Sequence, residues 1–117
     1  MDVFRTEREN TRRLEMTLNA TVNQIRENDQ IYTDQNHIAW TISRYYYPGV
    51  SSRYTDFQHF PKLNKDITYW FYLMQPMSAH VHEGLQSQGF KYETVVNDGI
   101  LGTHQIWIYK VCHSQTE

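Results

Sequence analysis

The chain contains 117 residues, of which 11 are basic and 13 are acidic, and its formal net charge is -2. This length fits one domain, so we expect a single α+β domain over residues 1–117. The near-neutral charge argues against a general nucleic-acid binder and against a polybasic membrane anchor. Aromatic residues make up 15% of the chain, and we expect some of these rings at the surface, where they often mark a binding patch.

The expected location is the cytoplasm. Cys112 is the only cysteine, so no internal disulfide can form, which is typical of a reducing compartment. Residues 1–10 are rich in charge and lack the apolar core of a secretory signal. No run approaches the roughly 20 apolar residues that span a bilayer, so we expect no membrane partner.

An amphipathic helix is predicted over residues 5–30. Leu14, Leu18, Val22 and Ile25 recur at helical spacing, which places them on one face. The opposite face is polar and is expected to be solvated. A homo-oligomer contact through this helix stays a hypothesis, because a wider apolar stripe would exceed what one core can cover.

A second helix is predicted to begin near Asp34, whose carboxylate is a suitable N-cap. It should end at Pro48-Gly49, because proline lacks the amide donor and glycine permits a left-handed turn. Residues 50–66 show no clear period and are predicted to form a long loop.

The C-terminal half contains the predicted sheet. The run Ile67–Met74 is apolar on both alternating faces, which indicates a central strand. A helix over residues 76–88 follows, and strands 92–96 and 104–111 should pair as an antiparallel hairpin. The predicted fold class is therefore α+β: two N-terminal helices packed on a small sheet, a C-terminal half in the order β-α-β-β, and a closing antiparallel hairpin.

This C-terminal half resembles the last third of the acetyl-CoA-dependent N-acetyltransferase fold, and the closing segment of methyltransferase folds is similar. The resemblance is carried by the strand and the hairpin, together with Ser78, Val81, Leu85 and Gly89-Phe90. It implies binding of an acyl-CoA. The chain departs from the family at residues 47–50, which lack the repeated glycines of a pyrophosphate loop, and at Leu85, where the family often has a tyrosine acid.

Several histidines are candidate catalytic or metal-binding residues. His80 and His82 would share a face on a strand, but on the predicted helix they diverge by about 200°, so we expect no metal site and no cofactor. A histidine-dependent enzyme would need two convergent histidines, or one histidine and a carboxylate. The spacing selects no pair among the candidates His59, His80, His82 and His104, with Glu93 and Asp98 as acidic partners. Cys112 is a weak candidate nucleophile, because its neighbour His113 should point to the other face of the strand.

The preferred binding surface is rich in tyrosine and arginine. Tyrosine rings can stack on a base or pack into a partner, and arginine can pair with phosphate or carboxylate. The predicted binding residues are Arg44, Tyr45, Tyr46, Tyr47, Arg53 and Tyr54.

The sequence therefore favours a small cytoplasmic interaction module, inhibitor-like, that binds another macromolecule through this aromatic surface. The expected partner is another protein, with a nucleic acid or nucleotide as the alternative. Two other functions stay open: a minimal acyltransferase-like or methyltransferase-like domain, and a histidine-dependent enzyme that acts on nucleic acid or nucleotide. No catalytic residue is assigned.

Overall fold

The computed structural model describes residues 12, 16–17, 19, 21, 24–47, 49–101 and 104–114. These residues form an α+β domain with a mixed sheet of five strands and two α-helices, the first of which continues as a π-helical segment over Ile42–Tyr46. In chain order the elements are β1 Gln30–Thr33, α1 Asn36–Thr41, β2 Ser51–Tyr54, β3 Tyr69–Leu73, α2 Ala79–Ser87, β4 Phe90–Leu101 and β5 His104–His113.

The sheet has a parallel half and an antiparallel half. Its strand order is β2-β1-β3-β5-β4. The parallel half consists of β1, β2 and β3, with β1 in the middle. The antiparallel half consists of β4 and β5, and β5 also pairs with β3. Because β3 hydrogen-bonds to both halves, it connects them.

The central position predicted for the strand in Ile67–Met74 is confirmed. All five residues of β3 are buried. Trp70 and Tyr72 point to the face of the sheet that α1 covers, which we call the first face. Tyr69, Phe71 and Leu73 point to the second face, which is covered by α2 and by the segment that follows β2.

The predicted closing hairpin is confirmed, although its turn lies further along the chain. Residues Asn97-Asp98-Gly99 follow the first predicted strand of the hairpin, but they lie within β4. Register shifts between Thr94 and Val96 and between Val96 and Gly99 absorb this irregular segment, in the manner of a β-bulge. Asp98 adopts a positive φ of 55° there, which explains a turn-like composition inside a strand.

Helix α2 begins at Ala79, three residues after the predicted start at Pro76. The hydroxyl Oγ of Ser78 accepts a hydrogen bond from the amide of Val81, with 3.3 Å between the two atoms. This bond caps the helix by satisfying one of its first amide donors. Gly89, which follows the helix, has φ 78°, so it supplies a left-handed residue of the kind that commonly ends a helix.

The N-terminal predictions need correction. Arg12, Met16, Thr17, Asn19 and Thr21 are helical, but Gln24 lies in a turn and β1 starts at Gln30, so no helix reaches residue 30. The carboxylate of Asp29 accepts hydrogen bonds from the backbone of Arg26 and from the ring of Trp70. These bonds direct the chain into the sheet. The predicted stripe residues Leu14, Leu18 and Val22 lie outside the described residues.

Two strands were also predicted as other structure. Residues 30–33 were predicted as the junction between the two N-terminal helices, and residues 51–54 as part of a loop. Each strand has only four residues, and β2 lies at the edge of the sheet with a largely exposed surface. Gln35, not Asp34, is the N-cap of α1, and it makes no side-chain capping bond.

Candidate functional site

A cavity of about 260 Å³ lies at the carboxyl ends of the three parallel strands. Parallel strands all end at the same edge, so the residues that follow them come together there. The connection from β1 leads to β2 at one edge of the sheet, and the connection from β3 leads to β4 at the opposite edge. The direction in which the strands are added therefore reverses between β1 and β3. The cavity lining combines polar and apolar side chains: Asp34, Asp56, Phe57, Gln58, Leu73, Gln75, Pro76, Ser78, His80 and Val81.

Asp34 follows β1 directly and connects it to the end of β3. Its Oδ1 atom accepts a hydrogen bond from the amide of Met74, with 3.2 Å between the two atoms. Burial raises the pKa of the Asp34 carboxyl, and the hydrogen bond from the Met74 amide opposes that rise. The side chain is half-buried. A ligand that donates to the Asp34 carboxylate would therefore compensate a partly desolvated charge.

Asp56 lies two residues after the end of β2, in a different environment. Its Oδ1 atom accepts hydrogen bonds from the amides of Gln58 and His59, at 3.2 Å and 3.3 Å. The hydrogen bond from the His59 amide is the main reason why the pKa of the Asp56 carboxyl is lowered. Asp56 is exposed, so its carboxylate remains ionised at the cavity rim.

The remaining walls come from the end of β3 and the start of α2. Leu73 and Val81 are buried and give the cavity an apolar side, together with the ring of Phe57. Ser78 and His80 belong to the cap and first turn of α2, and His80 is exposed. The cavity lining thus combines apolar side chains with two carboxylates that follow neighbouring strands.

No family model, curated protein or solved structure matches this chain. The functional argument therefore depends on the geometry of the described residues.

The predicted tyrosine run does not form one exposed patch. Tyr47 is buried at 7% exposure, with its ring against Tyr72 and its hydroxyl in a hydrogen bond with Thr21. Tyr45 and Tyr46 have side chains that lie outside the described part of the structure. The guanidinium of Arg44 lies over the ring of Trp40, 5.3 Å from its centroid. Trp40 is 57% exposed and was not singled out in the sequence.

Arg53 and Tyr54 point to opposite faces of the sheet, because adjacent residues of a strand alternate. Arg53 is in register with Tyr32, which faces Phe71 on the second face. Tyr54 is in register with Thr33 and is 49% exposed. The two residues therefore cannot bind the same ligand from one face.

The candidate histidines also lie apart. His80 and His82 diverge on α2 as predicted: His80 lines the cavity, whereas Nδ1 of His82 lies 2.7 Å from the hydroxyl of Tyr92. His59 lies beside Asp56. His104 meets His37, a residue that was not considered in the sequence. Within the described ranges, no three His, Cys, Asp or Glu side chains cluster in a way that could hold a metal ion.

The region that resembles an acyltransferase has no opening between β3 and β4. Strand β5 lies between them and pairs with both, from Tyr69 to Leu73 on one side and from Phe90 to Leu101 on the other. Cys112 is half-buried in β5. Neither described helix is long and apolar enough to cross a bilayer.

One sequence feature could have identified the cavity residues. The tripeptide Tyr-Thr-Asp occurs at residues 32–34 and again at residues 54–56. Strand β1 includes the tyrosine and the threonine of the first copy, and β2 includes only the tyrosine of the second. In both copies the aspartate lies after the end of the strand. Two equivalent strand ends, each followed by a carboxylate, are the pattern expected at the ligand-binding edge of a parallel sheet.

Proposed function

We propose that this domain is an interaction module that binds another protein by accepting a basic side chain of that protein in the cavity at the carboxyl edge. The observation that carries this proposal is the pair Asp34 and Asp56, which follow adjacent parallel strands and line one cavity. An ionised carboxylate accepts hydrogen bonds and donates none. Arginine supplies several donors in a planar fork.

The shape of the cavity supports an arginine or lysine side chain in particular. Such a side chain has an apolar stem and a charged head, and it packs its stem along apolar surface. Leu73, Val81 and Phe57 provide that surface, and the two carboxylates lie at the polar side. The proposal retains the protein partner and the cytoplasmic location expected from the sequence, and it moves the contact from the tyrosine run to the cavity.

The test is calorimetric titration of the whole chain with a short blocked peptide that contains one arginine. The matched ligand replaces arginine with citrulline, which has nearly the same shape and no charge. We expect the arginine peptide to bind and the citrulline peptide to bind at least about tenfold more weakly, because a hydrogen bond to a charged group contributes about 1.5–3 kcal/mol. NMR shifts should concentrate at Met74, Gln75 and Ser78.

The protein variants Asp34→Asn and Asp56→Asn should each weaken arginine-peptide binding by about tenfold. Asp66→Asn is the control, because this exposed carboxylate precedes β3 and so lies at the opposite edge of the sheet. Equal binding of the two peptides, or equal loss in all three variants, would contradict the proposal.

A further inference from the structure

Two histidines distant in the sequence meet on the first face of the sheet. His37 lies in the first turn of α1, and His104 is the first residue of β5. Their Nε2 atoms are 3.2 Å apart, and their ring centroids are 4.8 Å apart. Neither histidine lines the cavity at the carboxyl edge, so the pair is separate from the site of the proposed protein contact.

The orientation of the two rings is informative. If the two rings met end to end, the distance between their centroids would be the 3.2 Å between the nitrogens plus the radius of each ring. That sum exceeds the observed centroid distance of 4.8 Å. The rings therefore meet at an angle, and their planes are inclined by 55°. These distances fit a hydrogen bond between the two rings in the absence of a metal ion, and they also fit two Nε2 lone pairs directed at one ion.

A transition-metal ion fits the spacing of these nitrogens. Imidazole binds zinc at about 2.0–2.1 Å, so two imidazole nitrogens on one ion lie about 2.9 Å apart at a right angle and about 3.4 Å apart at a tetrahedral angle. The observed 3.2 Å falls between these two values. Imidazole suits zinc, copper and nickel, whereas magnesium and calcium prefer oxygen ligands.

We propose that His37 and His104 form a two-histidine binding site for a divalent transition-metal ion and that the ion joins α1 to β5. His37 is exposed and His104 is half-buried, so water or a donor from another molecule can complete the coordination shell. Since the described residues add no third clustered ligand, the affinity should be modest and should follow the general order, with Cu²⁺ bound more tightly than Ni²⁺ or Zn²⁺.

The ion should also stabilise the fold. The two ligands are 67 residues apart in the chain, so only the folded state presents them together. A ligand that binds only the folded state raises the apparent stability by mass action. Thermal unfolding with and without Cu²⁺ therefore gives a readout that does not depend on any activity of the protein.

The experiment titrates Cu²⁺, Ni²⁺ and Zn²⁺ into the whole chain and into His37→Gln and His104→Gln. We expect one ion per chain and a loss of affinity of about tenfold or more in each variant, because a two-point contact becomes a one-point contact. The controls are His80→Gln and Cys112→Ser, which should bind Cu²⁺ as the unchanged chain does. The Cu²⁺-dependent rise in melting temperature should disappear only in the His37 and His104 variants.

Electron paramagnetic resonance of the Cu²⁺ complex provides a second measurement on the unchanged chain. Two imidazole nitrogens on one copper are expected there, and one in each histidine variant. Absence of stoichiometric binding, a single nitrogen in the unchanged chain, or loss of binding in a control variant would each overturn the proposal. Since arginine-peptide binding uses other residues, failure of either proposal leaves the other intact.

Discussion

The two halves of the sheet differ in strand length and in the chemistry at their ends. Strands β4 and β5 have 12 and 10 residues, whereas β1 and β2 have four each. The long antiparallel strands contribute mainly packed core and paired backbone. The short parallel strands present carboxylates at a common edge, where Asp34 and Asp56 line the cavity. The smaller half of the sheet therefore contributes both carboxylates of the cavity lining, and the larger half contributes most of the paired backbone.

The largest expected effect follows from the position of β3 between the two halves. Phe71 is completely buried on the second face. We expect Phe71→Ala to lower the free energy of unfolding by about 3–5 kcal/mol, because a large cavity replaces a packed ring. Urea unfolding followed by tryptophan fluorescence and by circular dichroism should give one coincident transition, since β3 hydrogen-bonds to both halves.

Thr94→Ala is the control for this change. Thr94 is exposed on β4, and its replacement should alter the free energy of unfolding by no more than about 0.5 kcal/mol. Two separate transitions in the unchanged protein would show that the two halves unfold independently, and would contradict the coupling through β3.

The sequence predicted β3 and the antiparallel half much better than it predicted β1 and β2, for a physical reason. Ile67–Met74 is apolar on both faces because β3 is covered on both faces, and the turn after α2 needs a left-handed residue that Gly89 supplies. These requirements are local, so they are visible in the order of residues. The pairing of β1 with β2 and β3 joins segments about 20 and 40 residues apart, and the residues of a short strand do not identify its partners.

The candidate site depends on the same long-range pairing. Asp34 was predicted to cap a helix, which is a local role, but its carboxylate accepts a hydrogen bond from Met74, 40 residues later. Likewise, Arg53 and Tyr54 were predicted to lie in a loop and to contribute to one binding surface. Pairing of β2 with β1 places Arg53 and Tyr54 on opposite faces.

An intermediate effect on stability is expected at Gly89, which lies between α2 and β4. Its φ of 78° lies in the left-handed region, and an added Cβ would lie 3.1 Å from Nε2 of His113. We expect Gly89→Ala to lower the free energy of unfolding by about 1–2 kcal/mol, the cost of the left-handed conformation in a residue with a side chain. Gly89→Asn should lose less, because asparagine visits this region more readily.

Gly89→Ala also tests whether the recognition chemistry belongs to the parallel half alone. Gly89 does not line the carboxyl-edge cavity, so arginine-peptide affinity should stay within about twofold of that of the unchanged chain at temperatures where both proteins are folded. A tenfold loss of affinity would mean that the two halves are coupled at the site.

The smallest effects are expected from the pH dependence of the two cavity carboxylates, and here the signs are opposite. Burial raises the pKa of Asp34, so the folded chain holds this proton more tightly than the unfolded chain does. Its favourable contribution is complete below the unfolded pKa and is lost as the pH rises through the folded pKa. The stability of the unchanged chain relative to Asp34→Asn should therefore fall as the pH rises above the unfolded pKa of about 3.9.

For Asp56, the hydrogen bond from the His59 amide is the largest cause of a lowered pKa. A lowered pKa gives a contribution that is present above the unfolded pKa and is lost as the pH falls through the folded pKa. The stability of the unchanged chain relative to Asp56→Asn should therefore rise with pH only in the acidic range, up to the unfolded pKa of about 3.9. Urea unfolding of the three proteins below and above that pKa measures both slopes, and each change should be small because both side chains contact solvent. Slopes of the same sign would mean that the two Tyr-Thr-Asp segments give their carboxylates equivalent surroundings, contrary to the half-buried position of Asp34 and the exposed position of Asp56.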